Sequence, residues 1–79
     1  MTIEQLRVVS QARPFRPFTL HLADGEKLHV PHADFLSHSP NGRTLIVYSE
    51  DDSFSIVDLL LVTRLEVHSG VAVDSAGDA

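Results

Sequence analysis

The stretch Phe18 to Val30, FTLHLADGEKLHV, decides how the chain folds. Phe18, Leu20 and Leu22 alternate with Thr19, His21 and Ala23, and Leu28 and Val30 alternate with Lys27 and His29. Period-two alternation on both sides of Asp24-Gly25 predicts strand, turn, strand, with one apolar face. A two-residue loop would set Leu22 against Lys27, placing an apolar side chain and a charge on one face. A three-residue loop at Asp24 to Glu26, with Gly25 at positive φ, avoids this. It pairs Leu22 with Leu28, Leu20 with Val30, and His21 with His29.

Upstream, Thr2-Ile3-Glu4-Gln5 has the spacing of a capping box, an N-cap hydroxyl with an amide three residues on. Ile3, Leu6, Val9 and Ala12 then share one face, predicting a helix over 3–12 that Pro14 stops. A helix of this length does not stand alone in water and must dock its apolar stripe. Arg13 to Phe18, RPFRPF, reads as a stiff extended connector whose Phe15 and Phe18 plug one end of the core.

Downstream, Pro31 ends the second strand, and His32 to Leu36 reads as a short turn anchored by Phe35 and Leu36. Ser37 to Arg43 is a loop, with Pro40-Asn41-Gly42 as its turn. Thr44 to Tyr48 (TLIVY) and Phe54 to Val57 (FSIV) are strands joined by an acidic loop at Glu50 to Asp52, which sets Tyr48 opposite Phe54 and Ile46 opposite Ile56. Asp58 to Val62 (DLLLV) interrupts the strand pattern with a tight turn. Thr63 to Val67 is a final strand, Leu65 and Val67 inward, Arg64 and Glu66 outward. From 68 to 79 no periodicity remains, and a flexible tail is expected. The expectation is therefore a single mainly β domain over 1–67 with one N-terminal α-helix and a small five-stranded antiparallel barrel.

At 79 residues the chain makes one small domain with a thin stability margin, the kind that association often reinforces. It has no cysteine, so no disulfide framework or thiolate metal site is available. The longest apolar run, Leu59 to Val62, is far short of the ~20 residues that span a bilayer. The first residues lack a basic region followed by an apolar core. A cytoplasmic location without membrane association is expected.

The net charge of −5 is unevenly distributed. Arg7, Arg13 and Arg16 outnumber Glu4 in the first sixteen residues. Glu50, Asp51, Asp52, Asp58, Glu66, Asp74 and Asp78 face only Arg64 after Thr44. A nucleic-acid binder needs a basic face to release phosphate counterions, and here only one end is basic. The asymmetry suits head-to-tail assembly of copies.

The order helix, strand, Asp-Gly turn, strand resembles the first motif of Sm-like proteins, including the bacterial Sm-like RNA chaperone. Phe35 falls where that family has an aromatic after its second strand, and DLLLV falls at the family's short link before its last strand. The resemblance covers about fifty residues plus the helix, and extends to SH3-like small barrels in general. It implies a barrel and a ring-forming habit. In the RNA chaperone the short link carries a lysine–histidine pair used on uridine-rich RNA. Asp58 and Leu59 stand there in this chain, and the glycine common in that family's second strand is missing from His29 to Pro31. The phrases ARPFRPF and DLLLVT also resemble those of short bacterial proteins of unknown function.

His29, His32, Asp34 and His38 are the one metal-like grouping, spread over a strand end and a loop; they read as solvated polar residues, not ligands. His21 and His29 lack the cleft, nucleophile and orienting group that catalysis needs. The chain is expected to be no enzyme and to hold no cofactor or metal. Its expected partners are further copies of itself or another protein, with the strands 63–67 and 44–48 supplying open edges for pairing. The alternative is an RNA-binding relative of the Sm-like family. In either case the expected contact residues are Arg7, Arg13, Arg16 and Arg43.

Overall fold

The computed structural model describes residues 1–69. It is mainly β, with one N-terminal helix and six strands in two three-stranded antiparallel sheets. Helix α1 spans Ile3–Ser10. The strands are β1 (Phe18–Leu22), β2 (Lys27–Val30), β3 (Leu36–His38), β4 (Thr44–Tyr48), β5 (Phe54–Asp58) and β6 (Val62–Val67). Sheet A has the order β2-β1-β6 and sheet B the order β3-β4-β5. This corrects the expected closed five-stranded cylinder: the extra strand is β3, which the sequence presented as turn and loop. Short 3₁₀ turns at Ala33–Phe35 and Leu59–Leu61 carry the chain from sheet A to sheet B and back.

The capping box forms as expected. The Gln5 amide N–H donates to Thr2 Oγ1 at 3.2 Å, and the Thr2 N–H donates to Gln5 Oε1 at 3.0 Å. The helix closes at Ser10, two residues earlier than expected, with Gln11 as its C-cap. The approach to Pro14 pulls the chain toward extended backbone before the apolar stripe is used up.

The hairpin turn lies two residues away from the expected register. Leu20 faces Leu28, Phe18 faces Val30, Thr19 faces His29, and His21 faces Lys27. The loop is Ala23-Asp24-Gly25, closed by the Leu22 N–H donating to the Glu26 carbonyl at 2.9 Å. Asp24 Oδ1 accepts from the Glu26 N–H at 2.9 Å, and Gly25 takes φ +91° as the last loop residue. The left-handed position in such a loop is its third, and that requirement fixes the register on Gly25. A shift of two preserves every side chain's face, so the apolar residues still turn inward.

Leu6, Phe18, Leu20, Val30 and Leu45 have no solvent exposure, and Val47, Val57, Leu59 and Val62 complete the core. Phe15 packs on this core with its ring 5.8 Å from that of Phe18, as the plugging role of the connector requires. Near the N-terminus of α1, Gly42 sits at φ +73°, and a Cβ there would come within 2.8 Å of Ile3. Beyond β6, His68 is held in place. Its N–H donates to the Pro17 carbonyl at 2.9 Å, and Arg16 Nε donates to the His68 carbonyl at 3.2 Å. The remainder of the expected tail, from 70 onward, lies outside the described residues.

Candidate functional site

Each sheet has a strand that pairs on one side only and lies next to the crossover at Leu59–Leu61. Among the described residues β5 pairs with β4 alone and β6 with β1 alone, and β2 and β3 are the edge strands on the far sides of the two sheets. The final strand therefore offers an open edge, as expected. The strand Thr44–Tyr48 does not: it lies between β3 and β5, with both of its edges engaged. The edge expected there belongs to β5.

The side chains of β5 give that edge its character. Val57 turns into the core, while Phe54 and Ile56, on the opposite face, are 55% and 70% exposed. Across the ladder they meet Tyr48 and Ile46, and the Tyr48 and Phe54 rings stand 6.1 Å apart. The outer face of sheet B is thus an apolar patch: Ile46, Tyr48, Phe54 and Ile56. The pairing was readable in the sequence, but its orientation was not. The signal was present, since TLIVY has no polar alternation and predicts a strand apolar on both faces.

An acidic hairpin turn borders the patch. Asp51 Oδ1 accepts from the Ser53 hydroxyl at 2.6 Å and from its N–H at 3.0 Å, and these bonds hold the Asp51 carboxyl below its ordinary range. Asp52 takes φ +73°, and Asp58 caps the following 3₁₀ turn by accepting from the Leu60 N–H at 2.9 Å.

The four arginines singled out in the sequence are all exposed. Arg7 lies on α1 and Arg13 and Arg16 follow it, with Arg16 tied to the end of β6. Arg43 lies in the loop before β4, next to Gly42, which touches the start of α1. Arg7 lies about one helical turn past Ile3, and Arg13 and Arg16 lie beyond the C-terminal end of the helix.

The histidines of the grouping expected from the sequence, His29, His32 and His38, make separate contacts. His38 Nδ1 lies 2.8 Å from the Ser39 carbonyl, His32 stacks near Phe35, and His29 stands opposite Thr19. Among the described residues no three histidine or carboxylate side chains are placed to share a metal ion. The outer face of sheet A is polar and internally bonded. Thr19 Oγ1 contacts His68 Nε2 at 2.8 Å and His29 Nδ1 at 3.3 Å. His21 Nε2 donates to Glu66 Oε1 at 3.0 Å, and Arg64 lies 3.6 Å from the same oxygen. The bond from His21, followed by the charge of Arg64, holds the Glu66 carboxyl below its ordinary range despite partial desolvation.

No helix among the described residues is long and apolar enough to cross a membrane. No protein-family model, curated protein or solved structure matches the chain.

Proposed function

We propose that this protein is a non-enzymatic assembly module, a small two-sheet β domain of Sm-like or SH3-like kind whose copies join through strand edges, in the cytoplasm. The observation that carries the reading is that β5 and β6 are edge strands among the described residues, with Phe54 and Ile56 of β5 exposed. Uncovered strand edges are templates for another chain, and monomeric proteins usually blunt them. The crossover of β2 into β3 and of β5 into β6 through short 3₁₀ turns also fits a domain of that kind. Self-association would also account for the charge division, the basic connector and the acidic β4–β5 turn lying in separate stretches of the chain. The RNA-binding alternative would draw on the exposed Arg7, Arg13, Arg16 and Arg43.

Light scattering on the purified chain at low and at high salt tests the reading. A mass above the 8.7 kDa of a single copy is expected. A strict monomer at both salts and at high protein concentration would overturn it.

A further inference from the structure

Where the chain passes from β2 toward β3, a cleft of about 420 Å³ opens between β2 and the end of β4. Lys27 and His29 line one side of it and Tyr48 and Glu50 the other, over an apolar lining of Leu28, Pro31, Phe35 and Val47. Strand β3 covers β4 only from Leu45 to Val47, and β2 has no strand beyond β1. Both walls therefore carry unpaired main chain. The hairpin closes with the Leu22 N–H on the Glu26 carbonyl, and the ladder bonds then alternate, falling on Leu20 with Leu28 and Phe18 with Val30. The N–H and C=O groups of Lys27 and His29 point away from β1, to the cleft side. On the opposite wall the Ser49 N–H donates to the Ser53 carbonyl at 2.8 Å, so by the same alternation the main-chain groups of Tyr48 point away from β5. Among the described residues no backbone hydrogen bond joins Tyr48 to Lys27 or His29.

We infer that this cleft takes an extended peptide segment of another protein, inserted as a strand between β2 and the end of β4. Main-chain groups of an extended segment point alternately to its two sides, so one side meets Lys27 and His29 and the other meets Tyr48. Its side chains alternate as well: every second one turns onto Leu28, Phe35 and Val47, and those between turn out to solvent. The chemistry that fits is apolar residues two apart with polar ones between them. Lys27 and Glu50 line opposite walls and form no ion pair with each other, so each can meet a charge on the outward side chains. A segment set between two walls must be unpaired on both of its own edges. Every strand of this chain has at least one edge engaged, so among the described residues a second copy has no strand to offer. The inference does not depend on the self-association proposed above.

Amide exchange and chemical shifts of the isotope-labelled chain, titrated with a short peptide of alternating valine and threonine blocked at both ends, test it. In the free chain the amides of Lys27, His29 and Tyr48 are expected to exchange quickly, while those of Leu28 and Val30 are protected. The peptide is expected to slow exchange at the first three roughly tenfold or more and to move their resonances. The same peptide N-methylated at alternate residues cannot pair on one of its sides, and is expected to bind at least about tenfold more weakly. His29→Pro removes an N–H that β1 does not use, a position where an edge strand tolerates proline, and should weaken binding by a similar factor. Circular dichroism checks its folding, and if it does not fold the N-methylated peptide decides alone. No response at Lys27, His29 and Tyr48 with millimolar peptide overturns the inference, as does an N-methylated peptide that binds equally well or a response centred on β5 or β6. Amides of Lys27 and His29 that are protected at high protein concentration and released on dilution would make the occupant a second copy, which also overturns it. A chain that stays monomeric and still binds the peptide supports this inference and removes the self-association reading.

Discussion

The two sheets have the same architecture and opposite outer faces. Sheet A turns Thr19, His21, His29, Arg64 and Glu66 to solvent, and these side chains bond to one another across strands. Sheet B turns out Ile46, Tyr48, Phe54 and Ile56, the last three exposed among the described residues. An outer face that satisfies its own polar groups needs nothing further. An apolar face ending in an open strand edge carries a free-energy cost in water that a second surface can remove. The comparison separates a face built for solvent from one built for contact.

The sharpest way to break this contrast is to act on the two sides of one sheet. Leu45 is fully buried, and its cross-strand neighbourhood includes Val57. Leu45→Ala should destabilise the chain by about 2–5 kcal/mol, measured by urea unfolding, because it removes buried methyls and leaves a cavity. One residue beyond Val57 on the partner strand, Ile56→Ala should shift the stability of an isolated copy by less than about 1 kcal/mol while weakening assembly. If Ile56→Ala proves as destabilising as Leu45→Ala at dilutions where only single copies exist, the outer face of sheet B is core, and the contrast is lost.

Sheet A offers an intermediate effect. Thr19→Val keeps shape and β-branching but removes the hydroxyl that contacts His68 and His29. A loss of about 1 kcal/mol is expected, the usual worth of a partly exposed hydrogen bond. Faster amide exchange at His68 is expected with it, because that contact helps hold the end of β6. Unchanged stability and exchange would mean that the polar face is decorated without being bonded in solution.

Much of this fold was legible in the sequence, for local reasons. The capping box and the alternation over Phe18 to Val30 are short-range signals, and both formed. The hairpin register failed by two residues because alternation fixes a side chain's face but not its partner; Gly25, in the loop's left-handed position, sets the partner. Strand β3 was missed because Leu36-Ser37-His38 has no pattern of its own and is a strand only because β4 lies beside it. The same dependence hid the candidate site. Strand order decides which edges stay open, and it is set by pairings such as Phe18 with Val67, forty-nine positions apart. The arginines were conspicuous by charge. The outer patch of sheet B, with Tyr48, Phe54 and Ile56 exposed, carries no charge.

The smallest effect sharpens the comparison through pH. Glu66 is the one carboxylate among the outward side chains paired across β1 and β6, and the bond from His21 holds its proton affinity below the ordinary carboxylate range. A carboxyl whose folded-state pKa is depressed adds stability above its unfolded value, and that contribution disappears as pH falls through the folded-state value. Glu66→Gln should therefore be less stable than the natural chain near pH 6. The difference should vanish at pH values low enough to protonate Glu66 in the folded chain. Because the group is exposed, added salt should shrink the gap at pH 6. Thermal melts of both chains at the two pH values, at low and high salt, decide it. A gap that persists in acid would mean that Glu66 acts through packing and not through its charge, and the polar face would then owe less to electrostatics than its geometry implies.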